Sequence, residues 1–517
     1  MKAIRYTGLA LFLFSLGLLL ALFFASSYTL TEQLFNTQVK KEHQELLRPE
    51  VASMFGKTYG LSISFVNSLN SAIERVNDKK RAEQAWDQVI YDDYAGSITR
   101  AATSGVIKTH TTLLFILVFV VGSIGALMYL LPQAQLAGPP GIKNNGIFHN
   151  SLNNRGWMGI LVGTLLILFY IALYFFDAYI TNWIILVDPV QKLINPSGQS
   201  SQWFLYGFLY TFAVLVMGVR MLIKYRHSKY QVFRTISVMF FQLSFAFLIP
   251  EILVRLNQPY FDFKNMWPLD YDFFDAWHLN TLTSSGGLGL FMLVWGITLF
   301  AVGVPVFVYF FGKRWYCSWV CGCGGLAETA GDPFRQLSDK SLKAWKIERW
   351  LVHGVLVFAV IMTAGVLYSF FTGSDTIAGL STYTWLRQPY GFFIGAIFSG
   401  VVGTGFYPLM GNRVWCRFGC PLAAYLGIVQ RFKSRFRITT NGGQCISCGN
   451  CSTYCEMGID VRWYAQRGQN IVRASCVGCG VCSSVCPRGV LNLENRDEDG
   501  RFGKPILIGN NSSTLQK

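Results

Sequence analysis

The sequence holds no cysteine before Cys317. That excludes a disulfide framework distributed along the chain. Charge is sparse as well: 14% of the residues are charged and 52% hydrophobic, a balance that excludes an ordinary soluble or disordered protein. There are only six histidines, His43, His110, His149, His227, His278 and His353. No two share one apolar run at the spacing of axial ligands, and no C-x-x-C-H occurs, so haem is not expected. Neither a phosphate loop nor a dinucleotide fingerprint is present. Acids are outnumbered, 28 against 44 Lys and Arg, for a net charge of +16. Such an excess could serve nucleic acid, but its placement argues otherwise. The bases sit beside apolar runs, as in Lys224-Tyr-Arg226 and Arg431-Phe-Lys433-Ser-Arg435-Phe-Arg437. This is the pattern of loops retained on the cytoplasmic side and held by anionic lipid headgroups.

What the chain has instead is a series of apolar runs of membrane-crossing length. They fall at residues 8–27, 112–134, 156–176, 203–223, 235–255, 287–311, 349–371 and 389–410. The reading is a polytopic all-α membrane protein of about eight transmembrane helices, with both termini inside. The loop 224–234 carries Lys224, Arg226, Lys229 and Arg234 and no acid. The loop 256–286 carries Asp262, Asp270, Asp272 and Asp275 against Lys264 alone. Both agree with the positive-inside rule, the first loop inside and the second outside. Five regions follow: an N-terminal anchor (1–27), a mostly helical outer segment (28–110), helices two to five with their loops (111–286), a membrane core (287–430), and an inside C-terminal domain (431–517). Asp177 and Asp188 read as solvated loop residues, and 510–517 as a frayed tail.

Eight of the 13 cysteines form two runs, Cys445-Ile-Ser-Cys448-Gly-Asn-Cys451-Ser-Thr-Tyr-Cys455 and Cys476-Val-Gly-Cys479-Gly-Val-Cys482-Ser-Ser-Val-Cys486-Pro487. Both follow C-x2-C-x2-C-x3-C, the spacing of bacterial ferredoxins that hold two [4Fe–4S] clusters. Three closely spaced thiolates wrap one corner of a cubane, and the fourth comes from the other run. Cys445, Cys448, Cys451 and Cys486 are thus expected to hold one cluster, and Cys476, Cys479, Cys482 and Cys455 the other. Zinc also uses C-x2-C pairs, but does not account for two complete runs and a closing proline. The loop residues Gly449, Gly478 and Gly480 can offer backbone N–H groups to cluster sulfurs. The first run ends in Glu456 where the second has Pro487, a change read as affecting a local turn.

Five cysteines remain: Cys317, Cys321 and Cys323 after one apolar run, and Cys416 and Cys420 after another. Two C-x3-C pairs at neighbouring helix ends could converge on one four-thiolate site. The readings are a third iron–sulfur or a copper site, a redox dithiol, or structural cysteines in tight turns. Cys323 could replace Cys321 as a ligand.

On these residues, about 287–490, the chain resembles the membrane polyferredoxin family that includes the NapH, NosR and CcoG (RdxA/FixG) proteins. The resemblance implies electron delivery to periplasmic reductases, or copper handling during oxidase assembly. It implies a bacterial inner-membrane location with the ferredoxin module in the cytoplasm. The implied partners are a periplasmic reductase or cytochrome and a cytoplasmic electron donor. Gly322-Cys323 stands where the family commonly has proline. Ser104-Gly105-Val106-Ile107 does not match a covalent-flavin motif. The leading expectation is a redox subunit of a respiratory complex, linking a cytoplasmic donor or the quinone pool to a periplasmic partner. A quinone site is compatible with it, though no motif marks one. The alternatives are a copper-centre assembly factor and a transporter whose clusters are regulatory or structural. Catalytic residues are not expected, nor a nucleic-acid partner.

Overall fold

A computed structural model describes residues 2–136, 140–141 and 151–496. His149 and the expected tail 510–517 lie outside the described residues, as does most of the inside loop 135–155. Among the described residues, seven helices are long and apolar enough to cross a membrane: α1 (Lys2–Phe24), α2 (Thr111–Gln135), α3 (Trp157–Phe175), α4 (Gln202–Lys224), α5 (Lys229–Arg255), α6 (Gly286–Phe311) and α7 (Leu342–Thr372). The eighth expected run is helical but differently wound. Its helical stretch, α8 (382–405), has the wider π spacing over Tyr383–Arg387 and Tyr390–Val402 and closes with an α-turn at Gly403–Gly405. Gly391, Gly395, Gly400 and Gly403 lower its preference for regular α winding. The count of regular spans is therefore seven rather than eight.

The chain divides into two compact units, residues 1–132 with 171–209 and residues 133–170 with 210–517. In the first unit, α1 and α2 meet through small residues. A Cβ at Gly8 would strike the Gly125 carbonyl, and Ser15 Oγ donates to the Leu117 carbonyl at 2.8 Å. Close backbone approach of this kind is how apolar helices associate in lipid. The segment after α1 builds a small core of its own. The helix Ser62–Ala82 buries Phe65, Val66, Leu69, Ala72 and Val76, spaced as one helical stripe. The expected mostly helical segment also contains a sheet: β1 (Ser26–Thr29) lies between β2 (Thr58–Tyr59) and β3 (Thr103–Gly105), both antiparallel to it. Strands of two to four residues are too short to show a period-two pattern. Asp188 is not solvated. Arg100 grips both its oxygens at 2.6 and 2.7 Å.

In the second unit one hydrophobic core gathers most of the cysteines. Seven buried cysteines and five partly buried ones share it, all but Cys448. Residues 256–275, expected as an outer-face loop, pack back between the helices. Trp295 Nε1 of α6 donates to the Phe263 carbonyl at 2.8 Å, and Trp267 Nε1 donates to Thr363 Oγ1 of α7 at 2.9 Å. Trp267 also packs on Phe300 of α6, ring centres 5.2 Å apart. Phe273 occupies the notch at Gly296, and Tyr271 the notch at Gly395 of α8, where any Cβ would collide with the ring. Irregular backbone is tolerated at this depth only when buried in protein. Three of the four acids that made the segment look exposed are paired there: Asp272 and Asp275 with Arg387 of α8, and Asp262 with Lys264.

Candidate iron–sulfur sites

The C-terminal module is closed by β4 (Phe436–Thr440), which pairs antiparallel with β5 (Leu491–Asn495) in the register Phe436↔Asn495 to Thr440↔Leu491. Joining the two ends brings the close of the second run back to the start of the first. Between them the two runs repeat one local design. The residues flanking the second cysteine are left-handed in each, Ser447 (φ 58°) and Gly449 (φ 81°), then Gly478 (φ 63°) and Gly480 (φ 72°). The third cysteine follows on a one-turn helix, Asn450–Thr453 or Val481–Ser484. Ser447 bears a side chain in a conformation that favours glycine, and Gln466 Nε2 donates to its Oγ at 2.7 Å. The fourth cysteines match as well. Cys455 Sγ accepts from the Ile459 N–H and Cys486 Sγ from the Val490 N–H, both at 3.4 Å.

Cys445, Cys448, Cys451 and Cys486 line one small pocket with Arg462 and Arg488, and Cys448 is exposed. The sulfurs acting electrostatically on Cys451 are those of Cys448, Cys486 and Cys445. Those acting most on Cys482 are Cys479, Cys476 and Cys455, followed by Cys451. Each expected set is thus brought together, with the fourth member crossing over, and the sets adjoin through Cys451 and Cys482.

The second set is held by the membrane core. Tyr230 and Gln231 at the start of α5 donate to the carbonyls of Gly478 and Cys479, both at 2.8 Å. Ser318 Oγ donates to the Val477 carbonyl at 2.8 Å, and Gln430 Nε2 to the Arg473 and Cys476 carbonyls at 2.9 Å. Gly427 admits this loop, since a Cβ there would meet the Ala474 carbonyl. The carbonyls of the loop Arg473–Cys479 are thereby tied to the ends of the helices.

The C-x3-C pairs converge. Cys317 ends the short helix Arg314–Cys317, and Cys321 caps the helix Gly322–Glu328. Cys416 lies in the turn Trp415–Gly419. Cys420 caps α9 (Pro421–Phe432), its sulfur accepting from the Ala423 N–H at 3.3 Å. All four are buried in the shared core. Burial pushes the Cys317 thiol up to about 12, against the pull of Lys313, and neighbouring Cys321 and Cys416 raise it further. A hydrogen bond from Cys323 and the Gly324 N–H favour the thiolate of Cys321. Cys323 is therefore a close neighbour of Cys321.

The sulfur spacing bears on what fits. Four thiolates around one tetrahedral zinc lie about 3.8 Å apart, given Zn–S bonds of about 2.3 Å. Among the described residues no three cysteine sulfurs come within 4.8 Å of one another. The single group that does so, Glu42, His43 and Asp92, is already engaged: Lys40 pairs with Asp92 at 2.7 Å and Tyr94 bonds His43 at 2.7 Å. All-sulfur donors in a buried core suit a soft metal ion and an iron–sulfur cluster alike. His353 Nδ1 donates to the Arg349 carbonyl at 2.6 Å.

A buried charge network, unforeseen in the sequence, joins the sites. Arg413 donates to the Cys317 carbonyl at 3.2 Å and to Cys416 Sγ at 3.7 Å, and pairs with Glu328. It also meets Glu456 at 3.0 Å, and Arg335 reaches the other oxygen of Glu456 at 3.0 Å. Burial disfavours ionisation of Glu456, yet Arg413, Arg335 and Arg234 outweigh it and hold its carboxyl well below the usual range. Glu456 therefore does far more than shape a turn. It ties the residue after Cys455 to the shoulder of Cys416.

Comparison with known proteins matches two families. A 4Fe–4S dicluster domain covers residues 444–491, and a 4Fe–4S binding domain covers 290–341 and 390–439, which include both C-x3-C pairs. YccM of Escherichia coli, named provisionally as an electron transport protein, is 26% identical over 161 residues, 29% of this chain and 43% of that one. The methylamine utilization ferredoxin-type protein MauN is 25% identical over 154 residues in Methylobacillus flagellatus, 29% of this chain and 51% of that one. In Paracoccus denitrificans it is 28% identical over 163 residues, 30% and 52%. The chain spans about half the length of the curated relatives it matches. No solved structure matches it. The paired ferredoxin runs, their seat on apolar helices and these relatives together make the chain a membrane-associated iron–sulfur protein related to the NapH/CcoG/YccM family of electron-transport proteins.

Proposed function

We propose that the chain carries electrons between a donor on the ferredoxin side of the membrane and an acceptor towards the opposite face. In this reading Cys445, Cys448, Cys451 and Cys486 hold the entry cluster, and Cys476, Cys479, Cys482 and Cys455 the second. Cys317, Cys321, Cys416 and Cys420 hold a third redox centre, with Cys323 beside Cys321. The clusters supply one-electron chemistry when bound, and the chain's own residues set their order. The supporting observation is a gradient of burial within one continuous core. Cys448 is exposed, the second set is tied to the helix ends, and the C-x3-C set is buried among them. Arg462 and Arg488 beside the exposed set suit an acidic donor.

The bacterial inner membrane, with the module in the cytoplasm, fits this order, since the entry set then faces a reducing compartment. An eight-span count, with α8 crossing, keeps both termini on that side. A quinone is a candidate second donor. An open apolar groove of about 530 Å³ between α6 and α9 is of ligand size, lined by Pro305, Val306, Tyr309, Phe310 and Phe432 with Lys433 at its rim. Val429, which also lines it, packs on the cysteine core.

The test is metal and acid-labile sulfide content of anaerobically purified protein, with EPR of the fully reduced sample. Three clusters give about 12 Fe and 12 S per chain. About 8 Fe with copper bound at the C-x3-C set would replace this reading with that of a copper-centre assembly factor.

A further inference from the structure

The segment 261–275 enters between α6, α7 and α8 and brings two opposite charges to the C-x3-C set. Phe300, against which Trp267 rests, stands about 20 Å along α6 from Gly286 at 1.5 Å per residue. Met266 is buried in the same core as Cys317, Cys321, Cys416 and Cys420. Two residues earlier, Lys264 Nζ pairs with Asp262 Oδ2 at 3.0 Å, the side chains 9% and 19% exposed. Asp262 Oδ1 also accepts from the Lys264 N–H at 3.2 Å, fixing both groups on one turn. The ammonium lies within electrostatic range of Cys321 and Cys323, and the carboxylate within range of Tyr316.

Ionisable groups carried into a bundle on irregular backbone are costly, and persist where they serve a site. A surface loop would leave Lys264 and Asp262 in water. Here Trp267, Tyr271 and Phe273 anchor the segment between the helices, with Met266, two residues after Lys264, in the cysteine core. Asp270 on the same segment and Tyr260 at its root also lie within electrostatic range of Asp262.

We infer that the Asp262–Lys264 turn, alongside Arg413, tunes the C-x3-C centre, Lys264 favouring its reduced form and Asp262 opposing it. The inference rests on the reading that these cysteines hold a redox centre. It makes the infolded segment part of the electron path rather than a structural plug.

The experiment is a potentiometric EPR titration of the full-length protein carrying Lys264→Gln, Lys264→Arg or Asp262→Asn. At the ambient potential where the wild-type centre is half reduced, Lys264→Gln should lower its reduced-to-oxidised ratio about tenfold. Asp262→Asn should raise it about tenfold, the scale of one partly screened charge at such range. Lys264→Arg should stay within about twofold, as should the ferredoxin clusters in every variant. Damage to packing would move the two neutral variants in the same direction, so opposite signs are the signature. If Lys264→Gln fails to fold, Asp262→Asn alone carries the sign, and ferredoxin clusters unmoved in that variant rule out damage to packing. A third centre unmoved by these changes, or moved equally with the ferredoxin clusters, overturns the inference alone. A wild-type protein with only about 8 Fe and no third signal overturns the underlying reading as well.

Discussion

Replacing Cys455 by Ala should abolish the cluster of the second cysteine run, Cys476–Cys482, and spare the one beside Cys455 in sequence. The physical ground is the closing of β4 on β5, which folds the two runs past each other. The Cys455 sulfur acts on Cys476 and Cys482, whereas Cys451 answers to Cys486. A [4Fe–4S] cluster left with three thiolates loses an iron or falls apart. Because the second set is bonded to Tyr230, Gln231, Ser318 and Gln430, its loss also removes the link to the core. Iron should drop from about 12 to about 8 per chain, and electron passage to the C-x3-C centre should fall at least about a hundredfold. The exposed cluster should keep its EPR signal and remain reducible by an external donor. Cys486→Ala should do the converse, removing the exposed cluster while the buried one stays. If Cys455→Ala removes the exposed cluster instead, the crossover is wrong.

The cysteine runs were legible because ligand spacing is local, and the same holds for the long spans, whose signal is a window of about 20 apolar residues. The features that escaped depend on partners distant in sequence. Residues 256–286 read as an outer loop because four acids and one base look solvated. Arg387, which neutralises Asp272 and Asp275, lies more than a hundred positions away, and the notches that admit Tyr271 and Phe273 are single glycines within two other helices. Charge asymmetry along a chain cannot distinguish an acid facing water from one facing a buried arginine. The α8 stretch was found as an apolar run, but its winding follows from glycine spacing and packing that hydropathy ignores. Glu456 was noticed for the missing proline, and its role was set by Arg335 and Arg413 from other segments.

Neutralising Glu456 should therefore be among the most damaging single changes in the chain. Its two oxygens meet Arg413 and Arg335, both side chains fully buried, and Asn412 Nδ2 donates to it at 3.4 Å. Glu456→Gln keeps the volume but leaves two guanidinium groups facing each other without their shared anion. Breaking a buried pair in this way costs about 3–5 kcal/mol, a large share of the roughly 5–15 kcal/mol that holds a domain folded. The loss falls on the joint between Cys455 and the shoulder of Cys416, where Arg413 also supports the Cys317 carbonyl. The expected result is a lower thermal midpoint in detergent. Under chelator challenge, iron should be released first from the second ferredoxin cluster and the C-x3-C centre, with the exposed cluster retained longest. Glu456→Pro gives the first run the same ending as the second and should be no milder, because the turn is not what Glu456 supplies. The Glu456→Gln, Arg413→Gln double variant should recover part of the loss, since it removes one of the two cations that lose their shared anion. A Glu456→Pro protein that matches wild type in thermal midpoint and iron retention would return this residue to the minor role its position after Cys455 suggests.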